Sequence, residues 1–104
     1  KKDKIDLGYV PPRYRSSYFQ HIWGNGYAAG YYAYLWTQML ADDAFVGFKD
    51  HGGLTRENGD RFRAMVLSRG NTEELAKMYK DWRGQAPQIE PMLENRGLKD
   101  APKK

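Results

Sequence analysis

The chain has 104 residues, 40% hydrophobic and 14% aromatic, with no cysteine and a formal charge of +4. This is one domain or a piece of a larger one, too apolar for a disordered tail, and disulfide and thiolate chemistry are excluded. The charge comes from the ends: without Lys1, Lys2, Asp3, Lys4, Lys103 and Lys104, residues 5–102 are neutral, so no basic face for nucleic acid is expected.

No apolar run approaches the roughly 18 residues of a membrane span, and no charged leader precedes an apolar core. Neither a membrane segment nor a signal peptide is therefore expected, and the lack of cysteine fits a reducing, cytoplasmic compartment.

Residues 1–12 read as an irregular lead-in closed by Pro11-Pro12, because proline disfavours helix at the residue before it. The segment "RYRSSYFQHIW", Arg13 to Trp23, fits a short helix or an extended piece; helix is preferred, ended by Gly24. Gly24-Asn25-Gly26 then forms a loop, since glycine tolerates positive φ. From Tyr27 to Phe48 the pattern predicts a long helix, apolar nearly all round and hence buried on most sides. A chain this short can hardly surround such a helix, so these residues are expected to lean on something larger.

Three helices follow. Thr55 is placed as N-cap of a helix over 55–69, with Phe62, Met65 and Val66 facing inward. Asn71 and Glu74 make a capping-box pattern for a helix over 71–83, with Leu75, Met78, Tyr79 and Trp82 on one face and Gly84 as its stop. The last helix covers 87–96 and ends at Gly97. No stretch alternates, so the expected fold class is all-α.

Most candidate chemistry fails on its own terms. "GNGYAA" matches the loose dinucleotide fingerprint, but that motif needs a strand before the loop and a second after the helix. His21 and His51 lack metal-ligand spacing, and Asp42-Asp43 and Glu73-Glu74 read as solvated helix residues, so no metal site is expected. Ser16 and Ser17 near His21 have neither a nucleophile elbow nor an orienting acid. The tyrosines differ. Tyr27, Tyr31 and Tyr34 fall at i, i+4 and i+7, on one face of the expected helix. Core aromatics and the polar wall of a cleft explain such a stripe about equally well, because each buried hydroxyl would need a partner that phenylalanine would not.

The segments "RYRSSYFQHIWGNGYAAGYYAYLW", "ADDAF", "NGDRFRAMVLSRG" and "RGQAPQIEPMLENRGL" together resemble the C-terminal end of thimet-oligopeptidase-like zinc metallopeptidases, from about Tyr9 to Leu98. "HIWGNGYAAGYYAYLWTQMLADDA" favours the peptidyl-dipeptidase (dipeptidyl carboxypeptidase) branch over the oligopeptidase A endopeptidases.

The resemblance implies a mostly helical enzyme split by a channel, with zinc held by an H-E-x-x-H helix and a downstream glutamate that are absent from these residues. It implies that His21, Tyr27 and Tyr31 contact peptide substrate, that Tyr34 is catalytic and stabilises the oxyanion, and that Gly24 and Gly26 belong to a loop that closes over bound peptide. The expected partners are then a peptide substrate and the remainder of the same polypeptide, and the isolated chain is expected to be inactive. A small helical binding module without catalysis is the competing expectation.

Overall fold

The computed structural model describes residues 8–11 and 13–99, and among them every regular element is helical, with no strand. The fold class is therefore all-α, as the pattern predicts. The irregular lead-in expected over 1–12 lies outside the described residues except at Gly8–Pro11, which carry no regular element, and the charged ends at 1–4 and 103–104 also lie outside them. The chain divides into two compact units, Lys1–Ala33 and Tyr34–Lys104.

The first unit is built from single turns. A 3-10 turn, Ser16–Tyr18, leads into the one-turn helix α1, Gln20–Trp23. The Trp23 indole N–H donates to the Ser16 carbonyl at 2.7 Å, which folds this short piece back on itself. The helix preferred for Arg13–Trp23 is thus only its last turn. After α1 the backbone continues in turns, with Gly30 N–H donating to the Tyr27 carbonyl at 3.1 Å and Ala33 N–H to the Gly30 carbonyl at 3.0 Å.

The helix predicted to begin at Tyr27 begins at Ala33: α2 spans Ala33–Asp50. Gly30, inside the expected span, costs a helix about 1 kcal/mol relative to alanine, and consecutive aromatics at Tyr31 and Tyr32 add little propensity. From Ala33 onward, alanine, leucine, methionine and glutamine restore it. Consequently Tyr27 and Tyr31 stand on turns, and the single helical face expected for Tyr27, Tyr31 and Tyr34 does not form.

The second unit packs α2 with the helices that follow. Thr55 caps α3, Arg56–Phe62, as expected: its hydroxyl accepts from Asn58 N–H at 3.2 Å. The chain then widens into a π turn over Arg63–Leu67, where Ser68 N–H donates five residues back to the Arg63 carbonyl at 2.9 Å. Helix α4 spans Leu75–Arg83 and starts later than the capping box predicts, because Glu74 itself is the cap. Its carboxylate accepts from Ala76 N–H at 3.0 Å and Lys77 N–H at 2.8 Å, while the Thr72 hydroxyl is spent on the Arg69 carbonyl. Gly84 ends α4 in the left-handed region, at φ 85°, where glycine pays no Cβ penalty. Helix α5 is Glu90–Asn95, shorter than the expected 87–96, with Pro91 in its first turn.

The centre of this unit is aromatic. Phe62 and Trp82 ring centroids are 4.8 Å apart, Phe48 lies 5.5 Å from Phe62, and Tyr79 lies 5.8 Å from Trp82. These edge-on pairs match the quadrupole preference of π systems. Met78, Trp82 and Met92 are the buried apolar side chains among the described residues. The outer side of α2 is uncovered: Leu35 is 50% exposed, Trp36 59% and Phe45 45%. Among the described residues α2 is therefore not the buried helix its composition predicts, because they lack the surface to enclose it.

Candidate functional site

In the first unit, three of the residues singled out from sequence come together. The His21 imidazole lies 5.8 Å from the Tyr27 ring and 5.6 Å from the Tyr31 ring, edge-on to the latter at 73°. Phe19 closes the group, 4.3 Å from Tyr31 in a T-shaped contact. Local chain geometry produces this: α1 presents His21 from its only turn, and the turns after Asn25 return Tyr27 and Tyr31 towards it. Helical periodicity, the sequence argument for grouping Tyr27 with Tyr31, is not what joins them. An imidazole and two phenols side by side offer ring N–H and O–H groups that donate or accept, a set suited to peptide amides.

Tyr34 belongs to the second unit, on the first turn of α2, where its carbonyl accepts from the Thr37 hydroxyl at 3.2 Å. Tyr31 and Tyr34 are both partly exposed, at 40% and 47%, so neither is a core aromatic within this chain.

The loop glycines differ from expectation. Gly24 has φ −110° and ends α1, its N–H donating to the Gln20 carbonyl at 2.7 Å, and Gly26 is not among the glycines with positive φ. A side-chain carbon at Gly26 would meet nothing within 4 Å; at Gly24 it would sit 3.3 Å from the Gln20 carbonyl oxygen. The positive φ assumed for this loop is therefore not adopted in this conformation. Neither glycine takes a left-handed φ here.

A second polar cluster was not legible in the sequence. Asp43, read there as solvated, is 1% exposed and is the most buried polar residue described. Tyr79 donates to its Oδ2 at 2.6 Å, and Arg83 Nε stands 3.4 Å from the same oxygen. Arg83 also reaches Asp50, at 3.3 Å, so one guanidinium bridges two carboxylates of α2. Gly47 is buried because Arg83 lies across it: a Cβ there would fall 2.9 Å from Arg83 Cδ. Burial first, then the Asp43 carboxylate, pushes the Tyr79 phenol pKa well above its ordinary value of 10.0. Asp43 Oδ1 and Arg83 Nε have no hydrogen-bond partner among the described residues. The only sequence hint was spacing, Asp43 with Gly47 and Tyr79 with Arg83, each pair one helical turn apart.

Among the described residues no three histidine, cysteine, aspartate or glutamate side chains converge to hold a metal ion. The described residues do not fit a zinc centre. No helix of the described residues is long and apolar enough to cross a membrane.

A family model for Peptidase family M3 matches residues 1–98. The chain belongs to peptidase family M3. This M3 chain is 67% identical over 96 residues to dipeptidyl carboxypeptidase of Escherichia coli strain K12, a match covering 92% of the chain and 14% of that protein. It is 49% identical over 81 residues to oligopeptidase A of the same organism, covering 78% of the chain and 12% of that protein. With saccharolysin of Saccharomyces cerevisiae it shares 33% identity over 82 residues, 79% of the chain and 12% of that protein. The M3 chain thus spans about one seventh or less of the length of these curated relatives. The family resemblance seen in the sequence is borne out, including its likeness to dipeptidyl carboxypeptidase.

Proposed function

We propose that these residues supply a substrate-contacting wall of a zinc metallopeptidase, and that the complete protein releases dipeptides from the C-terminus of oligopeptides. The observation that carries this reading is the close grouping of His21, Tyr27 and Tyr31, three hydrogen-bonding rings beside one another on a surface rather than in a core. In this role His21, Tyr27 and Tyr31 hydrogen-bond the backbone of bound peptide and fix its register.

Tyr34 is the catalytic residue of the set. A phenol is neutral at neutral pH and donates one O–H. Aimed at the carbonyl oxygen of the bond being cleaved, it gains strength as negative charge grows on that oxygen, so its effect falls on the transition state. Gly24 and Gly26 serve as the loop that closes on substrate. Zinc, when bound, supplies Lewis-acid chemistry; its ligands belong to the part of the protein outside these residues, and the isolated chain is inactive. The compartment proposed is the cytoplasm.

The 49% identity to oligopeptidase A supports a second reading, cleavage within longer peptides. Two substrates separate them, the same oligopeptide with a free and with an amidated C-terminus, each given to the complete protein. Dipeptide release from the free form alone supports the first reading. Equal cleavage of both, at internal bonds, overturns it in favour of the second, and cleavage of neither removes the peptidase assignment.

A further inference from the structure

We propose that an apolar groove on the second unit is the seat of an amphipathic helix from the part of this polypeptide outside the 104 residues. The groove measures about 570 Å³ and runs between α2, the α3–π segment and α4. Trp36, Leu40 and Ala44 line one wall at i, i+4 and i+8, facing Phe62, Val66 and Met78. This inference rests on the reading that the chain is part of a longer peptidase.

Three features select the occupant. First, residues four apart form the ridge that interdigitates with a neighbouring helix, and the small side chains of Ala41 and Ala44 allow the axes to approach to about 8 Å. Second, the groove has little to offer a small polar ligand. Sites for such ligands combine an apolar lining with a few free, converging polar groups. Here the carboxylate and the phenol of the lining are already used: the Glu74 carboxylate caps α4, and the Tyr79 hydroxyl is held by Asp43. Third, the chain accounts for only 14% of the dipeptidyl carboxypeptidase it resembles, so a large body of polypeptide is available to cover the face. Trp36, at the rim and 59% exposed, is a large aromatic that water alone would leave at a cost. The occupant is accordingly a helix presenting leucine-like or aromatic side chains at i, i+3 and i+4, without charge on that face.

The test uses the complete protein with p-benzoylphenylalanine placed at Trp36, an aromatic-for-aromatic exchange that keeps the fold. Irradiation followed by peptide mapping is expected to join position 36 to an apolar helix of the same chain outside these 104 residues. A crosslink to a second copy of the chain, or no crosslink beyond these residues, overturns the proposal. In a second arm, Ala41→Arg is expected to lower the melting temperature of the complete protein, because the exposed site seen here would be covered there. An unchanged melting temperature means an open groove and also overturns it. Neither readout depends on peptide cleavage, so failure here is distinct from failure of the peptidase reading.

Discussion

The phenol of Tyr79 donates to the carboxylate of Asp43 at 2.6 Å, joining residues 36 positions apart on α4 and α2. With Arg83 bridging Asp43 and Asp50, this bond pins the helix that carries Tyr34 to the helix that carries Trp82. A buried carboxylate is costly unless its charge is met by donors or a cation. Removing a donor should therefore cost more than removing an equivalent exposed hydroxyl. Tyr79→Phe in the complete protein is expected to lose about 1–3 kcal/mol in urea unfolding, against about 0.5 kcal/mol or less for Tyr32→Phe. Equal effects would show that the bond contributes nothing.

The same phenol sets an alkaline limit. Its folded pKa is raised above the ordinary 10.0, so the native state holds this proton at pH values where the unfolded chain has released it. The contribution is complete below pH 10 and is lost as pH rises from there towards the folded pKa. Unfolding midpoints followed from pH 9 to 11.5 should fall, and the fall attributable to this group should vanish in Tyr79→Phe. A variant with the same alkaline slope as the parent would assign the effect elsewhere.

Two helical glycines should respond in opposite ways to alanine. At Gly59 in α3 the added carbon meets nothing within 4 Å, and helix propensity predicts a gain of about 0.5–1 kcal/mol. At Gly47 the same carbon falls 2.9 Å from Arg83 Cδ and 3.2 Å from Nε. Displacing a guanidinium that holds Asp43 and Asp50 costs about 1–3 kcal/mol, which outweighs the propensity gain. Thermal melts of the two variants, made in parallel, are expected to move in opposite directions.

Tyr34→Phe keeps the ring and deletes only the donor. If Tyr34 meets the developing oxyanion in the complete enzyme, kcat should fall by roughly 10²–10³ with little change in KM, equivalent to about 2.7–4 kcal/mol. Tyr31→Phe, a positioning change, should cost less and act mainly on KM. Near-normal kcat in Tyr34→Phe would remove the oxyanion role.

Gly26→Ala is expected to leave the melting temperature nearly unchanged, since nothing lies within 4 Å of the added carbon, while adding Gly24→Ala should lower it slightly, because that carbon falls 3.3 Å from the Gln20 carbonyl oxygen. Slower turnover in the same double variant would then report a second, closed conformation that alanine resists. Unchanged turnover means the glycines do no more than end α1.

Features set by neighbouring residues were legible from sequence alone. The Thr55 cap, the glycine stop at Gly84, the all-α class and the inward placing of Met78 and Trp82 on α4 each depend on groups within a turn or two, so composition and spacing determine them, whereas Leu75, placed on the same face, is 55% exposed. Family membership was legible too, because it is carried by residue identity and order. Tertiary structure decided the rest. Asp43 looked like any helix aspartate until Tyr79 and Arg83 arrived from 36 and 40 positions along the chain to bury it. Likewise, the start of α2 at Ala33 breaks the tyrosine stripe, leaving His21 to bring Tyr27 and Tyr31 together. Periodicity describes which side chains share a face only where the backbone is actually helical, and long-range partners leave no mark in local spacing.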